Sequence, residues 1–257
     1  MRILLTNDDG IESPSLKALS EKLSGEHEIW VIAPETEMSG CSHSVTLRES
    51  IRVKQRGERI YSCGGTPADC VILSMLGLIK GTVDMVLSGP NFGPNLGTDI
   101  VYSGTAAAAR QAVLMGYPAI ATSLVGYSSP TYNSEQDLAF ALEFIAKNLS
   151  VFKGLASPDH FLNINFPKVL SHQVRVSITF PSIRIYQDTL EKKLAADGTI
   201  NCRIGGPPPE SHLDTGSDYD AVDSGEISIS PILIHPMNHR IENKYRQAEI
   251  WPGNHKP

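Results

Sequence analysis

Two adjacent carboxylates, Asp8 and Asp9, directly follow the apolar stretch Ile3 to Leu5 in the amino-acid sequence. In an open α/β sheet, the turn after the carboxyl end of a strand lies at the mouth of the crevice where ligands bind. Like charges placed side by side repel each other, so such a pair indicates either a bound cation or a raised pKa. The run T-N-D-D-G at residues 6–10 also suits a tight turn, and plain turn chemistry is the alternative interpretation.

Short apolar runs and helical patterns alternate along the first two thirds of the chain. Pro14 after Ser13 is typical of a helix start, and Thr66 followed by Asp69 predicts another. This repeated order predicts a mostly parallel sheet with helices on both faces. The expected strands are residues 2–6, 28–33, 83–87, 119–123 and 161–166, with a hairpin at 50–55 and 59–63 and helices from residue 14 and at 66–79, 105–115 and 134–149.

The pattern changes beyond Pro167, so we divide the chain into a core at residues 1–167 and an extension at residues 168–257. The extension is expected to be mainly β and loop, with strand-like runs at 174–180 and 227–234 and an irregular G-G-P-P-P segment at 205–209. Strands without an evident partner sheet favour contact with another copy of the chain. A mobile insertion and tail is the alternative.

Charge and composition exclude several classes of function. The 257 residues include 22 Lys and Arg against 28 Asp and Glu, and the net charge of -6 argues against nucleic acid or an anionic membrane as a partner. No apolar run approaches the roughly 20 residues of a membrane helix, and with only Met1 and Arg2 before Ile3 we expect no signal peptide. Four cysteines without C-x-x-C spacing predict a reduced cytoplasmic protein with free thiols: Cys41, Cys63, Cys70 and Cys202.

Two amides, Asn91 and Asn95, lie in the segment S-G-P-N-F-G-P-N-L-G at residues 88–97, directly after an apolar strand. Amide oxygens are hard ligands that suit Mg²⁺ or Mn²⁺. The loop at residues 34–46 adds Ser39 and the neighbouring hydroxyls, which are expected to reach the same crevice.

The segment Ser103 to Thr105 leads directly into an alanine-rich helix. Backbone N–H groups and hydroxyls gather there at the positive end of the helix dipole, which is a typical phosphate-binding arrangement. Plain helix capping by Ser103 is the alternative interpretation.

In their order along the chain, these motifs resemble the SurE family, the survival-protein 5'-nucleotidases. The motifs are T-N-D-D-G, A-P-x(4)-S-G, G-T-P-A-D-C, S-G-P-N-x-G-x-N-x-G-x-D and Y-S-G-T-A-A-A-A, followed by N-I-N-F-P at 163–167 and D-Y-D-A at 218–221. The resemblance implies a Rossmann-like, three-layer α/β catalytic core and a β-rich extension that helps to build a homodimer or homotetramer. It also implies a metal-dependent phosphomonoesterase that hydrolyses nucleoside 5'- or 3'-monophosphates to nucleoside and phosphate.

By the same resemblance, one divalent metal ion per subunit, Mg²⁺ or Mn²⁺, is held by Asp8, Asp9, Ser39 and Asn91. The phosphate-binding positions match Asn95, Ser103, Gly104 and Thr105, and the expected catalytic residues are Asp8, Asp9 and Asn95. The chain departs from the family at Gln111, where glutamate is usual, and over residues 184–210, which match no family segment.

The residue types suggest a mechanism once those positions are accepted. An all-oxygen donor set favours Mg²⁺ or Mn²⁺ over zinc, and we expect attack on phosphorus by a water activated at the ion. A covalent route through Asp8 stays open, since carboxylates form aspartyl-phosphates. His43 is the candidate general acid for the leaving ribose oxygen, with a solvated or structural loop histidine as the alternative.

Other classes of protein fit the motifs less well. A phosphorelay receiver domain needs a phosphoacceptor Asp after its third strand, where this chain has Ser88 to Asn91, and a haloacid-dehalogenase phosphatase needs D-x-D instead of adjacent acids. Two alternatives stay open, namely a non-catalytic nucleotide-binding protein and a phosphatase that acts on polyphosphate or another phosphoester. Metal-dependent turnover separates the enzyme from the binding protein.

Overall fold

The computed structural model describes residues 1–125, 134–168, 173–212 and 214–235. The strands in those ranges are β1 (Arg2–Thr6), β2 (Glu28–Pro34), β3 (Val53–Gly57), β4 (Ile60–Cys63), β5 (Met85–Phe92), β6 (Ala119–Leu124), β7 (His160–Phe166), β8 (Val176–Ile178), β9 (Arg184–Ile185), β10 (Thr189–Leu194), β11 (Ile200–Gly205), β12 (Glu210–Ser211) and β13 (Ile227–Leu233). The α-helices are α1 (Pro14–Ser24), α2 (Pro67–Leu73), α3 (Gly104–Leu114), α4 (Ser134–Gly154) and α5 (Asp218–Asp223). None of the helices described here is both long and apolar enough to cross a membrane.

Nine strands form one sheet in the order β3-β4-β2-β1-β5-β6-β7-β13-β8. Strand β1 pairs in parallel with β2 on one side and β5 on the other, and β6 and β7 continue the parallel arrangement. Strand β3 forms the predicted antiparallel hairpin with β4. The expected mostly parallel α/β sheet is therefore confirmed. Because the strand order reverses at β1, its carboxyl end opens onto a crevice.

The side chains of β1 alternate between two hydrophobic cores, because successive residues of a strand point to opposite faces of the sheet. Ile3 and Leu5 pack with α1 and α4 on one face, whereas Leu4 packs with α2 and α3 on the other. All three side chains are fully buried. A strand packed on both faces is rigid, so it holds the residues that follow Thr6 in a constant position.

The helices begin where the sequence predicts, but α2 ends early. Thr66 caps α2 by accepting a hydrogen bond from the Asp69 amide, and the Asp69 carboxylate accepts one from the Thr66 amide. The chain then continues as a π-helical turn at Ser74–Leu78, where Gly77 has a φ of 116° that no regular helix accommodates. The predicted single helix over residues 66–79 is thus two unequal pieces.

The extension joins the core sheet. Strand β13 pairs antiparallel with β7 and parallel with β8, so the expectation that the strands of the extension lack a partner sheet is wrong for these two. The edge of β7 offers backbone donors and acceptors that β13 satisfies. Strands β10 and β11 form a separate antiparallel hairpin. Residues 206–209 of the predicted irregular segment 205–209 adopt no helix or strand, but Gly205 is the last residue of β11, so the prediction is wrong for that residue. The domain boundary at residue 167 stays a prediction, and residues 236–257 of the extension lie outside the described residues.

Candidate active site

The turn after β1 is formed by Asn7 and Gly10. The Asn7 side chain accepts a hydrogen bond from the Gly10 amide at 3.1 Å and donates one to the Gly10 carbonyl at 3.0 Å. Gly10 has a φ of 98°, a value that favours glycine. Asn7 and Gly10 therefore supply the turn chemistry, which leaves the carboxylates of Asp8 and Asp9 available for another role.

Asp8 is buried against the first turn of α3. Only 3% of its surface is exposed. Its carboxylate accepts a short hydrogen bond from the Thr105 hydroxyl, and the amides of Gly104 and Thr105 also donate to it. Burial raises the pKa of Asp8 above its ordinary value, and these hydrogen bonds oppose the rise. The structure thus brings Gly104 and Thr105 to Asp8, whereas the sequence predicts that they contact phosphate.

The pKa of Asp9 is strongly raised by its surroundings. Burial and then the charge of Asp8 raise the pKa of Asp9 to about 6, although the Phe92 amide donates to its carboxylate. The Oδ2 atom of Asp9 is buried and has no hydrogen-bond partner in the part of the chain that the structure describes. A buried carboxylate oxygen without a partner is costly unless a proton or a cation satisfies it. This atom is the clearest indication of a ligand at the site.

Strand β5 runs further than predicted and carries Asn91 to the crevice. The sequence predicts a strand that ends at residue 87, but β5 continues to Phe92 and pairs with β6 again after a register shift between Ser88 and Asn91. The side-chain nitrogen of Asn91 donates to the Gly93 carbonyl at 2.9 Å. This bond engages the nitrogen, so the side-chain oxygen is the atom available to a ligand.

Asn95 is held by side chains of β6 and β7. Its backbone amide donates to Asn165 Oδ1 at 2.9 Å, and its carbonyl accepts from Asn163 Nδ2 at 2.8 Å and from Asn165 Nδ2 at 3.1 Å. Its side-chain nitrogen donates to Ser123 Oγ at 2.8 Å. Sequence reasoning missed these supporting residues. The available signal was a pair of asparagines at alternate positions of an otherwise apolar strand, which places both on one face.

The loop after β2 brings Ser39 to the cleft but not His43. The Ser39 side chain is exposed, and its hydroxyl donates to the Glu37 carboxylate at 2.8 Å. His43 Nε2 instead forms a 2.9 Å hydrogen bond with the side-chain oxygen of Gln111 on α3. Gln111, where the resemblance leads us to expect glutamate, is therefore the partner of the candidate general acid.

An open cleft of about 250 Å³ lies where these segments meet. Five of the predicted site residues line it, together with Asp99, Tyr102 and Tyr186, to which the sequence analysis assigns no role. Asp9, Gly104 and Thr105 are not among the lining residues. The lining consists of Asp8, Ser39, Gly40, Asn91, Asn95, Asp99, Tyr102, Ser103 and Tyr186. A larger cleft of about 500 Å³ beside α1 is lined in part by Leu16, Val31 and Ile60, but its carboxylates are exposed at the surface. The buried carboxylate of Asp8 and the buried Oδ2 atom of Asp9, not the cavity volume, identify the candidate site.

The oxygen atoms at this cleft suit a hard divalent cation with few protein ligands. Within the described ranges, no group of three or more His, Cys, Asp or Glu side chains is placed to hold a metal ion. Two carboxylates with the Ser39 hydroxyl and the Asn91 amide oxygen still make an all-oxygen donor set. Mg²⁺ is commonly bound by one or two carboxylates and keeps several waters. The donor set therefore fits such an ion, and Asp9 Oδ2 is the atom that needs it.

Comparison with known proteins is consistent with this geometry. The family described as Survival protein SurE matches residues 3–188, so the expectation that residues 184–210 match no family segment is wrong for residues 184–188. A protein from Geotalea uraniireducens (strain Rf4), named 5'-nucleotidase SurE, is 40% identical over 241 residues, which are 93% of this chain and 95% of the relative. A protein of the same name from Legionella pneumophila (strain Corby) is 36% identical over 242 residues, which are 94% of each chain.

The fold is also found in a solved structure. The crystal structure of the SurE protein from Aquifex aeolicus matches with a TM-score of 0.80 and 30% sequence identity, over 96% of this chain and 98% of that one. The resemblance carried by the motifs is thereby confirmed. Similar in sequence and in fold over most of its length, the chain belongs to the SurE family.

Proposed function

We propose that this protein is a metal-dependent phosphomonoesterase that hydrolyses nucleoside 5'-monophosphates, and also 3'-monophosphates, to nucleoside and phosphate. The observation that carries the proposal is the buried Oδ2 atom of Asp9, which lacks a partner among the described residues and lies beside the buried Asp8. The relatives named 5'-nucleotidase SurE support a nucleotide as the substrate.

One divalent ion per subunit, Mg²⁺ or Mn²⁺, would be held by Asp8, Asp9, Ser39 and Asn91. Such an ion, when bound, polarises a phosphoryl oxygen and lowers the pKa of water. The two carboxylates supply the negative charge that attracts the ion, and their burial strengthens this attraction because the local dielectric is low. Asp8 is oriented for this role by the first turn of α3.

The remaining polar groups of the cleft are assigned to the phosphate. Asn95 is buried and held in place by β7, so it is already positioned before substrate binds. Ser103 begins α3, and its side chain caps the Ala106 amide at 3.0 Å. The positive end of the α3 dipole lies beside Asp8, where it would also attract a phosphate bound next to that carboxylate. Direct phosphate contact by Gly104 and Thr105 stays a prediction.

The hydrogen bonds of Asp8 favour attack by water over a covalent route. A nucleophilic carboxylate has to approach phosphorus in line, but Asp8 is engaged by Thr105 and almost fully buried. His43 remains the candidate general acid for the leaving ribose oxygen. Its ring is bonded to neutral Gln111 and lies outside the lining of the cleft, so proton donation by His43 requires the loop to move.

A substrate panel tests the proposed activity. Nucleoside 5'- and 3'-monophosphates, polyphosphate and simple phosphoesters are assayed with Mg²⁺, Mn²⁺ or Zn²⁺ and with EDTA. We expect turnover of the nucleotides with Mg²⁺ or Mn²⁺ and none with EDTA. Nucleotide binding without turnover in every metal would indicate a non-catalytic binding protein, and preferred turnover of polyphosphate would indicate a different phosphatase.

We also propose that the chain forms a homodimer or homotetramer through the β10–β11 hairpin. Leu190 pairs with Ile204 and Leu194 with Ile200, so all four side chains lie on one face. Their exposed fractions are 55%, 76%, 71% and 59% in that order. Lys192 and Cys202 lie between these two pairs on the same face. Four exposed aliphatic side chains on one face of a hairpin indicate a protein contact. Light scattering that gives a monomer mass at micromolar concentration would contradict the proposal.

The remaining partners and the location follow from composition. A net charge of -6 argues against nucleic acid and anionic membrane as partners, so an anionic nucleotide has to be attracted locally by the site. Cys41, Cys63, Cys70 and Cys202 are all free thiols, which is consistent with the proposed cytoplasmic location.

A further inference from the structure

Two tyrosines border the cleft beside the turn that begins α3. The rings of Tyr102 and Tyr186 line the cleft with their centroids 6.1 Å apart and an interplanar angle of 89°. Tyr102 is 54% exposed and Tyr186 is 38% exposed. A large part of each ring therefore contacts solvent, although both rings lie within a protein cleft.

The position of Tyr102 is set by its backbone. Its amide donates to the Asp99 carbonyl at 3.0 Å, and its own carbonyl accepts from the Ser42 amide at 3.0 Å. The next residue, Ser103, is the N-cap of α3. Tyr102 and the turn assigned to phosphate thus belong to one well-anchored segment, and Tyr102 and Ser103 both line the cleft.

The position of Tyr186 is set by its hydroxyl group, which donates to the Asp99 carboxylate. The other carboxylate oxygen of Asp99 lies 3.2 Å from Arg184 Nε. Arg184 in turn packs over the ring of Tyr219 at 5.4 Å. Because the hydroxyl is engaged, Tyr186 presents its aromatic surface to the cleft instead of a hydrogen-bonding group.

We propose that Tyr102 and Tyr186 form the nucleobase subsite of this cleft, with a base stacked on one ring and its edge against the other. This inference rests on the proposed function. Carboxylate and amide groups at one end and aromatic rings at the other match the two ends of a nucleoside monophosphate. Stacking on aromatic side chains tolerates any base, because every base has a π face.

The subsite predicts a broad base preference. The Tyr186 hydroxyl is engaged by Asp99, so it provides no free donor to select one base by hydrogen bonding. Purines should be favoured over pyrimidines, since their larger rings cover more of the aromatic surface. Tyr186 belongs to the extension, so the extension supplies one of the two rings that line this cleft.

The test compares a substrate with a base to one without. The value of kcat/KM is measured for AMP and for ribose 5-phosphate in the parent protein and in the variants Tyr102→Ala and Tyr186→Ala. We expect each alanine variant to lower kcat/KM for AMP about tenfold, mainly through KM, and to change the value for ribose 5-phosphate by less than about twofold. Tyr102→Phe and Tyr186→Phe are the matched controls, because they keep the rings and should keep most of the preference for AMP.

Several results would overturn the subsite. If an alanine variant loses the same factor in kcat/KM for AMP and for ribose 5-phosphate, the tyrosine has a structural role. If a phenylalanine variant loses as much kcat/KM for AMP as the alanine variant of the same tyrosine, the aromatic ring is not the group that binds the base. Equal kcat/KM for both substrates in the parent would overturn the subsite but leave the phosphatase activity intact. If the parent hydrolyses neither, the proposed function fails, and calorimetry with adenosine then tests the subsite. Loss of adenosine binding in both alanine variants would support the subsite, and unchanged adenosine binding would contradict it.

Discussion

The backbone amide of Asn95 donates a 2.9 Å hydrogen bond to the side chain of Asn165, which lies 70 residues further along the chain. The same side chain donates to the Asn95 carbonyl at 3.1 Å, so one amide group satisfies both backbone groups of a buried residue. Asn163 adds a second donor to that carbonyl at 2.8 Å. The place of Asn95 in the cleft is therefore decided by β7.

Asn165→Ala should weaken both the fold and the activity. The change leaves the buried Asn95 amide without its acceptor, which costs about 1 to 3 kcal/mol in the free energy of unfolding. Displacement of Asn95 should also lower kcat. Asn163→Ala is the matched control, because Asn165 still donates to the Asn95 carbonyl in that variant. Urea denaturation measures the free energy of unfolding, and steady-state kinetics measure kcat. Equal losses in Asn165→Ala and Asn163→Ala would contradict the assignment of Asn165 as the residue that positions Asn95.

Asp9→Asn should abolish nearly all activity without destabilising the metal-free protein. The carboxylate is needed to hold the ion, but in the absence of metal it is a buried charge with one unpartnered oxygen among the described residues. Thermal unfolding in EDTA should therefore give the variant a Tm at or above that of the parent. Addition of Mn²⁺ should raise the Tm of the parent only. Full activity of the parent in EDTA would show that the metal assignment is wrong.

The stability of the metal-free protein should depend on pH through Asp9. Folding raises the pKa of Asp9 from 3.8 to about 6. A carboxyl group whose pKa is raised by folding contributes stability below its unfolded pKa, and this contribution is lost as the pH rises through the folded value. The free energy of unfolding, measured with urea in EDTA, should thus fall more between pH 4 and pH 7 for the parent than for Asp9→Asn. Identical pH profiles would contradict the burial of the carboxylate.

Gly104→Ala should disturb the carboxylate site directly. A Cβ at residue 104 would lie 2.8 Å from the Asp8 Cβ and 3.0 Å from the Cys41 Sγ, so Asp8 has to move. We expect weaker Mn²⁺ binding by calorimetry and a loss of about 1 to 3 kcal/mol in the free energy of unfolding. Gly25→Ala is the control, since a Cβ there meets no atom within 4 Å. Normal Mn²⁺ affinity in Gly104→Ala would place the ion away from Asp8.

Features that depend on neighbouring residues were predictable from the sequence. The turn at Asn7 and Gly10 and the cap formed by Thr66 and Asp69 are hydrogen bonds between residues three positions apart. The burial of β1 follows from its apolar run, and the order of the motifs indicated the family. Each of these depends on short segments, whose conformational preferences act before any tertiary contact forms.

The partners of the site residues follow instead from the packing of the whole chain. Thr105 reaches Asp8 across 97 residues, and Tyr186 reaches Asp99 across 87. Such contacts depend on strand order, on the register of β5 and β7, and on the path of the extension. Short segments therefore reveal which chemical groups the chain brings to the site. The hydrogen bonds that orient these groups are a property of the assembled sheet, because only packing brings distant segments within hydrogen-bond distance.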